Sequence, residues 1–217
     1  MSAEPGASAA APTGARLLAF ARHGETAWTG SRYAGQTDLP LDDRGVASAA
    51  ALASRVERSG VLEDPSAVIV ASPLLRAWAT ARAVARAVDR AVESDPRWKE
   101  VAFGNLEGMT FDEASIVAPD VTSRLFAGDI EIDWPGGETW AAFETRIAVA
   151  LEAVLARDVP VLVVAHGIAI RVALATLVGH TVRRAELPLL AAGGLVIARQ
   201  AAHGWVVEAP DMVEAWD

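Results

Sequence analysis

Three short runs of the chain are almost entirely apolar, which is the pattern of β-strands that are covered on both faces. They are Arg16–Ala21, Ala67–Ala71 and Val161–Ala165. Weaker signals predict a further strand at Ala91–Ser94 and two late strands at Leu195–Arg199 and Trp205–Glu208, joined by a turn at His203-Gly204. Unbroken apolar strands of this length are typical of a sheet that is buried between other layers.

Between these runs the apolar residues recur every three or four positions, which predicts helices. Asp42 is placed to cap a helix over Val46–Ser59, with an inward stripe of Val46, Ala49, Ala50, Ala53 and Val56. Ser72-Pro73 predicts a cap, a proline at the first helical position and a helix to about Asp89. Further helices are predicted around 110–127, from Trp140 to Leu155 and over Ile168–Val178. Strands alternating with helices predict an α/β fold, a three-layer α/β/α sandwich with a mainly parallel central sheet.

Composition narrows the possible functions. The 217 residues carry 19 basic and 28 acidic side chains, a net charge of −9, which argues against a nucleic acid or an anionic membrane as partner. The chain has no cysteine, so disulfides, thiolate metal sites and cysteine nucleophiles are excluded. No apolar run is long enough to span a membrane, and residues 1–15 lack the features of a secretory signal. We therefore expect a flexible tail over 1–15, one domain over 16–217 and a cytoplasmic location.

Two of the predicted strands end in the same way, in Arg22-His23-Gly24 and in His166-Gly167. Because ligands bind at the carboxyl ends of strands in open α/β sheets, the two histidines can converge there although they are far apart in the chain. Arg76 lies in the first turn of the helix after Ser72-Pro73, where backbone N–H groups already favour an anion. Arg22 and Arg76 are therefore candidates for a phosphate clamp.

Five ordered blocks of sequence together resemble the histidine phosphatase superfamily, in its cofactor-dependent phosphoglycerate mutase-like branch. The blocks are Arg22-His23-Gly24-Glu25-Thr26, the segment from Gly35 to Gly45 with Asp38, Pro40 and Leu41, the segment Ser72-Pro73-Leu74 with Arg76, Ala77, Thr80 and Ala81, the segment Glu100 to Gly108 with Phe103, Gly104 and Glu107, and His166-Gly167. The resemblance covers about residues 16–200.

The resemblance implies a role for each matched residue. His23 resembles the nucleophile that takes the phosphoryl group, Arg22, Arg76 and His166 resemble the phosphate pocket, and Glu100 matches the proton donor to the leaving alcohol. Thr29, Gly35, Gln36 and Gly167 are candidate substrate contacts, although many members carry Asn where this chain has Thr29. The nucleophile needs a low histidine pKa, which nearby arginines favour, and the donor needs a raised carboxyl pKa, which burial favours.

The implied activity is hydrolysis of a small phosphorylated metabolite, a sugar phosphate or a phosphoglycerate derivative, without metal or other cofactor. Residues 95–136 are expected to cover the substrate, with Trp98 and Tyr33 at its entrance, and homodimers are common in the family. Residues 109–133 contain Arg124 as their only basic residue, unlike the longer basic insertion of phosphoglycerate mutases, which favours a phosphatase. Segment Tyr33–Leu41 is similar to that of sugar-phosphate phosphatases, whereas Trp134–Glu138 and Trp216-Asp217 are similar to glucosyl-3-phosphoglycerate phosphatases.

Three other functions remain open from the sequence. The first is a bisphosphoglycerate-dependent phosphoglycerate mutase with the same residues. The second is a non-catalytic module that keeps the phosphate pocket. The third is a metallohydrolase with His23, His166, Asp38 and Glu100 as ligands, although neither histidine has the spacing of a known metal motif.

Overall fold

The central element is a six-stranded sheet in the order β3-β2-β4-β1-β6-β7. The computed structural model describes residues 16–129, 131–179, 189–208 and 212–213. The strands are β1 (Leu17–Arg22), β2 (Val68–Ala71), β3 (Val92–Ser94), β4 (Val161–Ala165), β5 (Leu189–Leu190), β6 (Leu195–Ala201), β7 (Gly204–Glu208) and β8 (Met212–Val213). The helices are α1 (Asp43–Ser59), α2 (Leu75–Val88), α3 (Phe111–Val117), α4 (Pro119–Phe126), α5 (Trp140–Leu155) and α6 (Gly167–Val178). Two 3₁₀ turns lie at Pro96–Trp98 and Gly104–Leu106.

Strands β3, β2, β4 and β1 are parallel, and β6 and β7 continue the sheet in the antiparallel sense. In the register of β1, Phe20 lies between Val163 of β4 and Val196 of β6. The central sheet is therefore mainly parallel, as predicted, with an antiparallel hairpin at one edge. The short strands β5 and β8 pair with each other and form a separate two-stranded sheet that sequence analysis did not predict.

Alternate residues of the central strands belong to two different apolar cores. Leu18 and Phe20 of β1 point to a core that contains side chains of α5 and α6. Ala19 and Ala21 point to the opposite core, which contains side chains of α1 and α2. Helices cover both faces of the sheet, and the predicted three-layer sandwich is confirmed. No helix among the described residues is long and apolar enough to cross a membrane.

The inward face of α1 differs from the predicted stripe. Ala49, Ala53 and Val56 are buried as expected, but Val46 is 59% exposed, and Leu52 is buried in its place. The buried residues Ala49, Leu52, Ala53 and Val56 recur at spacings of three and four, a stripe shifted from the predicted one toward the larger side chain of Leu52. Gly45 lies on the same face and packs so closely on the chain that a Cβ would overlap the Glu25 carbonyl. Ala50, also in the predicted stripe, is exposed as well.

The start of α2 also differs from the prediction. The helix begins at Leu75, with Leu74 as its N-cap, rather than directly after Ser72. The Leu75 N–H donates to Oδ1 of Asp38 at 2.6 Å, so a residue from a distant loop provides the cap. Arg76 still lies in the first turn, as expected. The Ser72 hydroxyl accepts from the N–H of Leu74 at 3.3 Å, just before the helix, and also reaches the site described below.

The segment 95–136 contains two short helices, α3 and α4, as expected, and the predicted turn at Trp134-Pro135-Gly136-Gly137. A hydrogen bond from Gly137 N to the Trp134 carbonyl (2.9 Å) closes that turn. Trp98 is fully buried and packs edge-on against Phe20 with a centroid distance of 6.0 Å. The expectation that Trp98 lies at the substrate entrance is therefore wrong, because its indole fills the core. The predicted tail over 1–15 and Trp216-Asp217 lie outside the described residues.

Candidate active site

The two histidines predicted to converge do so at the carboxyl ends of β1 and β4. The backbone N–H of His23 donates to the Ala165 carbonyl at 3.1 Å, which joins the ends of the two strands. The rings of His23 and His166 lie with their centroids 5.0 Å apart. Ser72, at the end of β2, is tied to the same edge by a hydrogen bond from its N–H to the Val164 carbonyl (3.0 Å). Parallel pairing of three strands thus assembles the site.

A cavity of about 400 Å³ opens at this edge of the sheet. Most of the residues proposed from the sequence line it: Arg22, His23, Thr29, Gly35, Arg76, Glu100 and Gly167. Gln36 and His166 are not among its lining residues. The volume lies within the range of sites for small molecules.

The hydrogen bonds of His23 determine its tautomer. Nδ1 lies 2.6 Å from the carbonyl oxygen of Gly24, and because a carbonyl only accepts, Nδ1 carries the proton. Nε2 is then unprotonated, and it accepts a hydrogen bond from Nε of Arg76 at 3.2 Å. Burial holds the pKa of His23 well below its usual range, and the charges of Arg76 and Arg22 lower the pKa further. The expected effect of the arginines is present, and burial contributes more. The ring therefore stays neutral, with a nucleophilic nitrogen.

Arg76 is buried, and all three nitrogens of its guanidinium donate hydrogen bonds within the protein. Besides the bond to His23, Nη1 donates to the Thr37 carbonyl (2.8 Å) and Nη2 to the Gly35 carbonyl (2.6 Å). The loop that follows Tyr33 therefore orients the guanidinium. Because the fork is planar and rigid, fixing two of its nitrogens also fixes the direction of the third.

Glu107 holds that loop in place, a role that sequence analysis did not assign although the residue lies in a matched block. Its Oε1 accepts from the backbone N–H groups of Gln36 (2.9 Å) and Phe103 (3.1 Å), and its Oε2 accepts from the Thr37 hydroxyl (2.6 Å). The carboxylate thus connects the segment after Glu100 to the loop that orients Arg76. Glu107 is a positioning residue.

Arg22 supplies a second guanidinium to the cavity. Its Nη1 donates to the Leu190 carbonyl at 2.8 Å, and its Nε has no hydrogen-bond partner among the described residues. The backbone of Gly167 passes close to this group, and a Cβ there would lie 3.4 Å from Cζ of Arg22. The backbone of Gly167 and the Arg22 guanidinium are thus neighbours in the cavity wall.

Glu100 lies at the N-terminus of α6, where its carboxyl group accepts backbone hydrogen bonds. Oε2 accepts from Ile168 N (3.1 Å), and Oε1 accepts from Ala169 N (3.1 Å) and from its own neighbour Val101 N (3.0 Å). Burial raises the pKa of Glu100, although the backbone N–H groups of Ile168 and Val101 and the charges of Arg76 and Arg22 act in the opposite direction. The side chain is thus placed and tuned to carry a proton.

Two side chains donate hydrogen bonds to the backbone carbonyl of Glu100. Gln36 donates from Nε2 to the Glu100 carbonyl at 3.1 Å, and Arg146 of α5 donates from Nη2 to the same oxygen at 3.2 Å. Gln36 was proposed as a substrate contact, but its amide is directed to the backbone of Glu100. Arg146 is held in turn by Glu138 (2.7 Å), and no motif in the sequence indicates this pair.

His166 is fully buried, and its Nε2 lies 2.8 Å from the Ser72 hydroxyl. Its Nδ1 has no hydrogen-bond partner among the described residues. Burial holds the pKa of His166 well below its usual range, and the charge of Arg76 lowers the pKa further. His166 is therefore a neutral ring that lies beside His23 and Ser72 and does not line the open cavity.

The candidate metal ligands do not form a metal-binding group. Among the described residues, which include all four candidates, there is no cluster of three or more His, Asp or Glu side chains that could hold a metal ion. Asp38 is engaged at the start of α2, and the carboxyl oxygens of Glu100 accept from backbone N–H groups. The donors near His23 are cationic guanidinium groups, which suit an anion such as phosphate.

Comparisons with known proteins agree with this chemistry. The family model described as histidine phosphatase superfamily (branch 1) matches residues 18–211. The chain is 31% identical over 197 residues to a protein of Yersinia pestis named probable phosphoglycerate mutase GpmB, covering 86% of this chain and 88% of that one. A mycobacterial glucosyl-3-phosphoglycerate phosphatase has a similar structure, with a TM-score of 0.77, 27% identity and coverage of 92% of this chain and 100% of that one. A protein named mycobacterial hydrolase 1 has a TM-score of 0.80 at 26% identity, with coverage of 93% and 100%.

Proposed function

This chain belongs to branch 1 of the histidine phosphatase superfamily, and from that premise we propose that it hydrolyses small phosphate monoesters through a phosphohistidine on His23. One observation carries the proposal: the Gly24 carbonyl holds the proton on Nδ1, so Nε2 is free to attack beside Arg22 and Arg76. Hydrolysis, rather than binding alone, is supported because a buried carboxyl group with a raised pKa lines the same cavity.

In the first step, the lone pair of His23 Nε2 forms a bond to phosphorus as the bond between phosphorus and the ester oxygen breaks. Arg76 transfers its hydrogen bond from Nε2 to a phosphoryl oxygen, and Arg22 contacts the phosphoryl group with its free Nε. These cations stabilise the charge that spreads over the phosphoryl oxygens in the transition state. The Glu100 carboxyl group gives its proton to the departing alcohol oxygen.

In the second step, the Glu100 carboxylate takes a proton from a water molecule as that water attacks phosphorus. The bond between phosphorus and Nε2 breaks, its electron pair returns to the ring, and inorganic phosphate leaves. Both partners are thereby restored, because Glu100 is protonated again and His23 is again neutral at Nε2. The raised pKa of Glu100 favours the protonated form that the first step needs and makes the carboxylate a stronger base in the second.

The proposal includes a reaction without metal or other cofactor, since every charge that it requires comes from the residues above. It also includes a cytoplasmic location and action by one chain or by a homodimer. The substrate is a small phosphorylated metabolite, as for the mycobacterial glucosyl-3-phosphoglycerate phosphatase that this chain resembles.

The test is hydrolysis of a chromogenic phosphate ester by the purified protein in the presence of a chelator. We expect full activity in chelator and loss of activity by more than about a thousandfold in His23→Ala, because the nucleophile is removed. An active His23→Ala protein, or activity that requires added metal, would contradict the proposal. An inactive wild-type protein that still binds inorganic phosphate would favour a non-catalytic module.

The relative named phosphoglycerate mutase makes that activity the second candidate. A mutase would use the same His23 but return the phosphoryl group to a phosphoglycerate instead of to water. Incubation with 3-phosphoglycerate and bisphosphoglycerate separates the two. A phosphatase releases inorganic phosphate faster than it forms 2-phosphoglycerate, and the reverse ratio would establish the mutase.

A further inference from the structure

The cavity has a second set of lining residues besides the phosphate-binding groups, and four of them are aromatic: Trp28, Tyr33, Phe103 and Phe111. Two of these come from the loop after His23, and two come from the segment that follows Glu100. The mechanism above assigns them no role, because it concerns only the phosphoryl group. They lie where the alcohol part of an ester would be held.

Three of these rings, those of Tyr33, Phe103 and Phe111, pack against one another, and Trp28 lines the same cavity. Tyr33 is 2% exposed, and its ring packs edge-on against Phe103 (5.3 Å between centroids) and Phe111 (5.1 Å). Trp134 supports Phe103 from behind at 4.4 Å. The backbone of Tyr33 is paired with the opposite segment through hydrogen bonds with Gly108 N (2.8 Å) and the Met109 carbonyl (3.0 Å). Tyr33 and Phe103 are buried behind the half-buried rings of Trp28 and Phe111, which are the ones that a flat ligand would contact. Because the supporting rings are already packed, little ordering is needed on binding.

Most polar side chains on the same lining are already engaged within the protein. The hydroxyls of Thr26 and Thr29 lie 3.3 Å apart, and Thr29 also accepts from the Thr26 N–H. Arg32 donates to the Gly108 carbonyl (2.5 Å), and Glu25 accepts from Ser48 (2.6 Å). A leaving group with many hydroxyls would lose its bonds to water and find few replacements here.

We propose that the alcohol part of the preferred substrate is a flat aromatic or heteroaromatic group that packs against the wall formed by Trp28, Tyr33, Phe103 and Phe111. This inference rests on the proposed phosphatase activity and names the class of ester. An opposing hypothesis rests on Arg44. This residue is exposed at the start of α1 and also lines the cavity. It would favour a substrate with a second anionic group, such as a phosphoglycerate.

The experiment compares phosphate esters of primary alcohols, so that the chemistry of the leaving group is similar. Benzyl phosphate carries the ring, glycerol 1-phosphate and glucose 6-phosphate carry hydroxyls, and 3-phosphoglycerate adds the second anion. We expect kcat/KM for benzyl phosphate to exceed each of the others by at least about tenfold, because ring contact and apolar burial favour it. Equal or higher values for glycerol 1-phosphate, glucose 6-phosphate or 3-phosphoglycerate would overturn the proposal.

Variants of Phe111 and Trp28 test the wall itself. Phe111→Ala and Trp28→Leu are each expected to lower kcat/KM for benzyl phosphate about tenfold and that for ethyl phosphate less than about twofold, since ethyl phosphate does not reach the wall. Ile116→Ala is the matched control, because Ile116 lies on the same helix as Phe111, is 83% exposed and is not a lining residue. An equal loss for both esters in both variants would mean that these rings only support the fold.

Binding of phosphonates separates this proposal from the proposed activity. Benzylphosphonate cannot be hydrolysed, and calorimetry should show that wild-type protein binds it at least about tenfold more tightly than methylphosphonate. If that ranking holds while no ester is hydrolysed, the aromatic site stands and the phosphatase proposal fails. If esters are hydrolysed but the two phosphonates bind equally, the phosphatase proposal stands and the aromatic site is refuted.

Discussion

Replacement of Glu107 by alanine tests whether the loop around Gly35 controls catalysis. The substitution removes three hydrogen bonds that hold this loop and the neighbouring Phe103 backbone. Hydrogen bonds to a charged group contribute about 1.5–3 kcal/mol each, and water can replace part of this because Glu107 is only half-buried. We therefore expect the free energy of unfolding to fall by about 2–4 kcal/mol in total.

The catalytic effect follows because the loop that Glu107 holds also orients Arg76. The Gly35 and Thr37 carbonyls hold two nitrogens of Arg76, and Arg76 contacts Nε2 of His23. A loosened loop misplaces the guanidinium, and a displacement of about 1 Å is expected to lower kcat/KM by about 10–100-fold. The inhibition constant of inorganic phosphate should rise in the same variant, because the phosphate pocket contains the same guanidinium.

The assay measures kcat/KM, phosphate inhibition and urea unfolding at a temperature well below the melting transition. Glu107→Gln should stay within about threefold of wild type, since an amide oxygen can accept both N–H groups and the amide can donate to Thr37. Glu144→Ala, at an exposed position on α5, is the control for loss of an acidic side chain. If Glu107→Ala loses stability but keeps its kcat/KM and phosphate affinity, the positioning role is refuted.

Further predictions concern pH and the charged groups of the site. The kcat/KM profile should be bell-shaped: activity is lost on the acid side as pH falls through the lowered pKa of His23, well below 6.5, and on the alkaline side as pH rises through the raised pKa of Glu100. Glu100→Gln should release one burst of nitrophenolate from p-nitrophenyl phosphate and then turn over at least about a hundredfold more slowly, because attack by water lacks its base; an undiminished steady state would contradict this. Arg76→Lys should lower kcat/KM by at least about a hundredfold, because an ammonium cannot form the fork, and a value close to wild type would refute the clamp. His166 is neutral in the folded protein and titrates near pH 6.5 in the unfolded chain, so the protein loses stability as pH falls below that value. His166→Asn should therefore reduce the pH dependence of the unfolding free energy by up to about 1.4 kcal/mol per pH unit, measured in urea between pH 6.5 and 5. An unchanged slope would contradict this.

The features that could be predicted from the sequence are those set by local burial and by strand direction. The apolar runs at β1, β2 and β4 differ from the observed strands by one residue at most, because each is buried on both faces and ends sharply at a polar residue. The convergence of His23 and His166 follows from parallel pairing of β1 and β4, which places both strand ends at one edge.

The features that could not be predicted depend on contacts between distant segments. Ser72 looks like a helix cap from its neighbours, but it accepts only from Leu74 N, and Asp38 accepts from the first helical N–H, that of Leu75. The Ser72 hydroxyl also contacts His166, which its neighbours in the sequence do not indicate. The orientation of Gln36 toward the Glu100 carbonyl likewise has no local signature. The close approach of Gly45 to the Glu25 carbonyl is likewise a contact between segments that a hydrophobic pattern does not record.

The net negative charge of the chain does not conflict with a cavity that suits an anion. A net charge of −9 describes the protein as a whole, whereas the phosphate end of the cavity contains the guanidinium groups of Arg22 and Arg76 and a neutral histidine. Glu100, a carboxyl group that lines the same cavity, has a raised pKa. The site can therefore accept a small phosphate ester on an acidic protein.

Trapping of the phosphoenzyme shows whether His23 carries the phosphoryl group during the reaction. Wild-type protein is mixed with a ³²P-labelled phosphate ester, quenched in alkali during the first turnover, and digested for mass spectrometry of the peptide that contains His23. We expect one phosphoryl group on His23, stable in alkali and lost in acid, and no such group in His23→Ala. Phosphate release without any labelled histidine, or a label on another residue, would contradict it.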